Sequence, residues 1–368
     1  MIKLLLEFLK GIGINYGFFR LINYLSFRTI IAVVTSLFFV LLLGHKFILF
    51  LYNKKFRDTS GEISSINAYS KRGTPTAGGL LIMSSTLISV LLWGDFKNSY
   101  FLMLLIGFIY LGFVGFLDDF QKTRFKSSLS GLSEFAKTIL ILLFIFPFTI
   151  FYFSGMNTIP QSIKSNIYIP FYKNPLINIG EVGFIIFIFF TMFSIINAVN
   201  ITDGLDGLLS GTSSLTIGVY SILAYIMGNT ILSSYYLFPY IKGVGEITVF
   251  GAAIVGSLLG FLWYNSYPAE IFMGDTGSLA IGGVLSMMVF FTKQELLFLI
   301  AGGIFVFEIL TSLLQEKIGN RIGRRIIYRA PFHHSMTHRG IAEPKAVIRM
   351  WIIAIILAAL SLLSLKVR

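Results

Sequence analysis

Residues 101–119 read FLMLLIGFIYLGFVGFLDD: an apolar run from Phe101 to Leu117, then the paired acids Asp118 and Asp119. A run of this length is suited to the hydrocarbon core of a bilayer, which is about 30 Å thick. Lipid offers the backbone no hydrogen-bond partner, so such a run must close its own bonds as an α-helix. Working outward, similar runs recur at about 29–51, 77–94, 100–117, 135–153, 182–199, 207–227, 247–264, 276–292, 296–315 and 347–365. The expected fold is all-α, a polytopic membrane protein of about ten transmembrane helices, with residues 1–368 forming a single integral-membrane domain.

Composition agrees. Of 368 residues 55% are hydrophobic and 12% charged, and the mean hydropathy is +0.82, outside the range of ordinary soluble domains. The chain has no cysteine, which removes disulfides, thiolate nucleophiles and Cys-ligated metals from consideration. Its formal charge of +12 suits anionic lipid or anionic substrates. Lys3, Lys10 and Arg20 precede the first run without a small-residue cleavage site, so the N-terminus is expected to be kept.

Numbering the runs in order places loops 52–76, 118–134, 200–206, 265–275 and 316–346 on one face. With their flanks they carry most of the cations, among them Lys71, Lys122, Lys137, Arg325 and Arg329. The positive-inside rule makes that face cytoplasmic and puts both termini on the periplasmic side. The longest loop of the opposite face, 154–181, holds Pro160, Pro170 and Pro175 around an alternating Asn166-Ile167-Tyr168-Ile169, a pattern of turns and a short hairpin.

Acids are costly near a membrane, so their clusters are the places to look for chemistry. Three lie on the same face: Asp118-Asp119 with Lys122; Asn197 to Gly207, with Asn200, Asp203 and Asp206; and Phe272-Met273-Gly274-Asp275-Thr276-Gly277. Each also has a plain structural account. Paired aspartates can simply be a solvated helix end, and the Asn, Asp, Thr and Gly of the other two are what turns and N-caps use. Their joint placement favours one cytoplasmic cleft. Carboxylate oxygens there suit Mg²⁺, which takes one or two protein carboxylates plus phosphate oxygens, so a diphosphate substrate fits. A fourth cluster, Pro331-Phe332-His333-His334-Ser335-Met336-Thr337-His338, lies in the most basic loop. It has no Cys partner and no helical zinc pattern, so hydrogen bonding to a sugar or phosphate is the better functional reading, against that of a lipid-facing segment.

These motifs, with Lys71-Arg72-Gly73-Thr74-Pro75-Thr76-Ala77-Gly78-Gly79 and Glu343-Pro344-Lys345, together resemble the polyprenyl-phosphate N-acetylhexosamine-1-phosphate transferase superfamily. The closest likeness is to its phospho-N-acetylmuramoyl-pentapeptide transferase branch, along essentially the whole chain. Where that branch shows three successive histidines, this chain has Ser335 in the third place. The resemblance implies a bacterial inner-membrane enzyme that transfers phospho-N-acetylmuramoyl-pentapeptide from UDP-N-acetylmuramoyl-pentapeptide to undecaprenyl phosphate, giving lipid I and UMP in peptidoglycan synthesis. Mg²⁺ is the implied cofactor, with Asp275 and Asp118 as metal ligands. The implied catalytic set is Asp118, Asp119, Asp275, His333 and His334. The implied substrate-binding set is Lys71, Thr76, Lys122, Asn200, Asp203, Asp206, Asn265 and Phe272, the last stacking on uracil. Membrane lipid is a further partner, nucleic acid is not, and a homodimer is left open. Two other readings stand beside this one: a sister transferase using UDP-N-acetylglucosamine, and a transporter, against which the absence of a midplane acid relay argues.

Overall fold

A computed structural model describes residues 17–56, 73–125 and 131–366. After a 3₁₀ segment at Gly17–Asn23 come α1 (Leu25–Asn53), α2 (Gly79–Trp93), α3 (Ser99–Phe125) and α4 (Glu134–Phe153). A hairpin of β1 (Asn166–Tyr168) and β2 (Pro175–Asn178) leads to α5 (Gly180–Thr202), α6 (Leu208–Met227) and the short α7 (Thr230–Tyr235). Then follow α8 (Glu246–Asn265), α9 (Gly274–Phe291), α10 (Phe298–Ala301) and α11 (Gly303–Leu313), which runs into a π turn at Leu314–Gly319. The chain closes with α12 (Phe332–His338) and α13 (Glu343–Leu363).

The fold is the all-α membrane architecture that the apolar runs predict, with eight helices among the described residues long and apolar enough to cross a bilayer. Two of the ten runs differ in detail. The run at 77–94 forms only the 15 residues of α2, because the segment before Gly79 pairs its backbone elsewhere. The run at 296–315 is not one helix: it breaks between α10 and α11 at Gly302, where adjacent glycines supply little helix propensity, and then loosens into the π turn. The expected hairpin is present, with Asn166 opposite Asn178 and the Asn178 amide donating to Asn166 Oδ1 at 2.6 Å.

Burial sorts the helices into a centre and a rim. In α9, 89% of the apolar window is buried and in α8 78%, against 28% in α1 and 33% in α4 and α13, so the rim helices keep apolar side chains for lipid. The interior contacts pair α9 with α3 and α5, and α8 with α1, α2 and α6. Without a hydrophobic drive between helices in lipid, small residues and hydroxyls hold such contacts. Ser257 of α8 bonds Ser85 and Thr86 of α2 at 2.9 and 2.8 Å, and Ser89 donates to the Ala32 carbonyl of α1 at 2.8 Å. At Gly115 a side chain would strike the carbonyl of Asp275, so glycine lets the end of α3 lie directly on the start of α9. That contact sets the geometry of the candidate site.

Candidate active site

The site is organised by the N-terminus of α9, whose first amides have no partner within their own helix. Asp119, buried near the end of α3, fills that need from outside. It accepts from the Asp275 amide at 3.0 Å, from the Thr276 amide at 2.9 Å and from Thr276 Oγ1 at 2.6 Å. A carboxylate at that position also meets the positive end of the helix dipole. All three partners belong to the start of α9, so Asp119 acts as an external cap of that helix.

Its neighbours differ. Asp118 is 1% exposed, accepts from the Leu132 amide at 2.9 Å and lies 2.5 Å from Lys122 Nζ and 3.3 Å from Lys137 Nζ. Asp275 takes Lys137 at 2.6 Å and Lys122 at 3.1 Å on one oxygen and the Asn200 amide at 2.8 Å on the other. Asn200 is itself held by Ser278 at 2.8 Å. Ligand atoms of Asp118, Asp119 and Asp275 lie within 4.8 Å of one another, a grouping that could hold a metal ion. Asp203, the C-cap of α5, adds a fourth carboxylate: burial first, then the charges of Asp275 and Asp119, push its carboxyl up to about 8. Four acids therefore meet two lysines. The raised Asp203 carboxyl reflects crowding of acids that the two lysines do not fully offset, and the converging hard oxygen donors fit a divalent cation such as Mg²⁺. Asp118 and Asp275 are the carboxylates that could hold it, because most of their partners are lysine ammoniums that a cation can displace.

Around this cluster the loops are tied to one another. Asn265 accepts from the Gly207 amide at 3.1 Å and Ser210 Oγ at 3.2 Å and donates to the Ile271 carbonyl at 2.8 Å. Asp206 receives the Ala269 amide at 3.1 Å, and its own amide donates to Glu343 of α13 at 3.0 Å. Asn265 and Asp206 thus brace the rim of the cleft. The half-buried Phe272 pairs its backbone with Pro75 and Gly78, both at 2.8 Å, and the Thr76 amide donates to Phe56 at 3.2 Å, which brings the 73–79 segment to the cleft. Lys71 lies outside the described residues.

The histidines reach the site through Gly204. His333 is fully buried on α12, and a side chain at Gly204, next to Asp203, would collide with its Nε2. Its amide donates to Glu308 Oε1 at 3.1 Å, and its Nδ1 lies 3.2 Å from Glu308 Oε2. The His334 ring packs beside it, tilted by 59° with centroids 4.2 Å apart, while Ser335 is buried at 2% exposure. Lys137 and Glu308 went unassigned in the sequence, where Lys137 is one cation among many on its face. Glu308 carried a usable signal, an acid in the middle of an apolar run.

The profile of the family described as "Glycosyl transferase family 4" matches residues 101–293, from α3 to just beyond α9. Curated relatives extend the match over the whole length. The phospho-N-acetylmuramoyl-pentapeptide-transferase of Pelagibacter ubique is 41% identical across 96% of this chain and 97% of its own. Those of Leptospira biflexa and a Geobacter species are 38% and 39% identical, over 98% and 99% of this chain and 98% and 100% of theirs.

Proposed function

The chain belongs to glycosyl transferase family 4, among its phospho-N-acetylmuramoyl-pentapeptide transferases, and from that premise we propose that the acidic cleft at the start of α9 is where its reaction takes place. The protein is a membrane transferase of peptidoglycan synthesis that passes phospho-N-acetylmuramoyl-pentapeptide from its UDP carrier to undecaprenyl phosphate, releasing UMP. The observation that carries the assignment of the site is the convergence of Asp118, Asp203 and Asp275 with Lys122 and Lys137 at one end of the bundle. The loops at that end are the cation-rich ones, which supports a cleft open to the cytoplasm, termini on the periplasmic side and a single unit over 1–368.

Asp118 and Asp275 would hold Mg²⁺, which when bound supplies a Lewis acid to the diphosphate oxygens. Lys122 and Lys137 move from the carboxylates toward the phosphates as substrate enters. Asn200, Asp203 and Phe272, with Thr76 at the mouth, hold the nucleotide, inside a rim braced by Asp206 and Asn265, and Lys71 is assigned to the same substrate. His333 and His334 face the sugar side. The lipid phosphate is already largely dianionic at neutral pH, its second pKa being about 6, so it needs no strong base. One of its oxygens forms a bond to the sugar-bearing phosphorus as the bond to UMP breaks, and UMP leaves with the electron pair. Charge neutralisation and alignment provide the acceleration. Asp118 is nearly inaccessible and held by three donors, which favours this single displacement over a phospho-aspartate route.

Purified protein given undecaprenyl phosphate, Mg²⁺ and either UDP-N-acetylmuramoyl-pentapeptide or UDP-N-acetylglucosamine should turn over the first donor. A lipid product from the second alone would overturn the substrate reading. A chirally labelled phosphorus should invert, and net retention would reject the single displacement.

A further inference from the structure

A cavity of ≈ 590 Å³ opens beside the π turn that follows α11 and the far end of α12, lined by Gln315, Arg325, Ile327, Tyr328, Arg329 and His338. That volume lies within the ~300–1,000 Å³ of small-molecule pockets. The wall is built rather than incidental. Gln315 Oε1 accepts from the amides of Ile326 and Ile327 at 3.0 and 3.1 Å, which fixes the loop carrying both arginines against the π turn. The Arg329 guanidinium meets His338 Nε2, and Arg339 lies over the Tyr328 ring at 5.7 Å. Among the described residues no carboxylate lines the cavity. The neighbouring acid, Glu316, is paired with Lys317 at 2.6 Å, and Arg325 makes no ion pair among the described residues. Two guanidiniums facing one hollow form a site for a planar anion, and their forked donors match a carboxylate.

Its position selects which carboxylate. Helix α12 joins the cavity to the cleft: His333 at one end lies on Gly204 beside Asp203, and His338 at the other lines the cavity. They stand five positions apart on the helix, about 7.5 Å at ~1.5 Å per residue. A pentapeptide reaches up to ~17 Å when extended. A donor with its diphosphate on the acid cluster and its sugar at His333 can therefore lay its peptide along α12. We propose that the Arg325–Arg329 cavity binds the C-terminal carboxylate of the donor's peptide, a specificity subsite that rests on the transferase reading above.

The test uses the full chain in lipid nanodiscs with two donors, UDP-N-acetylmuramoyl-pentapeptide and the same molecule ending in a carboxamide. The wild type should show a KM for the amide about tenfold higher at equal kcat, the loss expected of one charge-assisted contact. Arg325→Gln should raise KM for the carboxylate donor by a similar factor and leave the amide donor unchanged. Because Arg329 touches His338, Arg329→Lys serves as the second variant, with a smaller rise confined to the same donor. Equal KM values for the two donors in the wild type would overturn the inference while leaving the transferase reading intact. So would a rise confined to the KM for undecaprenyl phosphate, which would make the cavity a lipid-phosphate site. Failure of the wild type to make lipid product from either donor would overturn the transferase reading and this one with it.

Discussion

The two ends of the helix bundle both bury charge, and they do so in opposite ways. Beyond the C-terminal end of α9, Lys293 is fully buried, with Nζ bonded to Tyr152 Oη at 3.0 Å, to the Lys164 carbonyl at 3.1 Å and to Glu295 at 2.9 Å, and set 4.0 Å over the Phe184 ring. One cation meets one anion there, and the Lys164 contact ties the hairpin loop to the bundle. Desolvation pushes the Lys293 ammonium down and the Glu295 carboxyl up, each opposed by the other's charge. At the N-terminal end of α9 four carboxylates face two lysines, and Lys122 and Lys137 remain 34% and 20% exposed. A closed, balanced pair is a fastening. An open cluster of hard oxygen donors with partly exposed lysines suits a cation and phosphates.

The contrast breaks most visibly at Asp275. Asp275→Asn should lower turnover on the order of 10³-fold, as removal of a principal electrostatic group does, and should abolish the Mg²⁺ dependence without lowering the unfolding temperature. Near-normal turnover with unaltered Mg²⁺ titration would remove Asp275 from the metal. The far end predicts the reverse. Glu295→Gln leaves a buried ammonium without its anion and should cost about 3 kcal/mol of stability, read by thermal unfolding in detergent, with no change in Mg²⁺ titration. Combining it with Lys293→Met should recover most of that loss, since a neutral pair strands no charge. A double variant as unstable as the single would show that the residues do more than balance each other.

Two smaller effects sharpen the division within the acidic end. Lys122→Ala should raise the KM for the UDP donor about tenfold, in line with loss of one charge-assisted contact, while membrane insertion stays normal. An unchanged KM would count against its phosphate role. Asp119→Asn keeps an acceptor at the start of α9, so it should cost about 1 kcal/mol of stability, the scale of a helix cap, and reduce turnover less than Asp275→Asn. Equal losses would mean that Asp119 also serves the reaction directly.

Much of this was legible without coordinates, and the limits follow from what a pattern encodes. Apolar runs report how long a segment is and which solvent it prefers, so the membrane helices and the 166–178 hairpin could be anticipated. Helix continuity inside a run is weaker information, which is why 296–315 reads as one span although Gly302 and the π turn divide it. Loop parity likewise grouped the acidic motifs on one face. It could not separate Asp118 from its neighbour Asp119, since adjacent positions on a helix point about 100° apart and only the packing of α3 on α9 decides which meets the amides. Nor could it show that Asn265 and Asp206 spend their polar groups on bracing loops.

The sequence by itself determined the solvent, the helical class, the face that carries the acids and the chemistry those acids suit, because each depends on residue type and on distance along the chain. Tertiary structure alone decided that Lys137 from α4 reaches Asp275, that Glu308 holds His333, and that two arginines face one cavity. These are distances between segments remote in sequence, set by how small residues such as Gly115 and Gly204 let helices and loops approach. No local pattern contains that information.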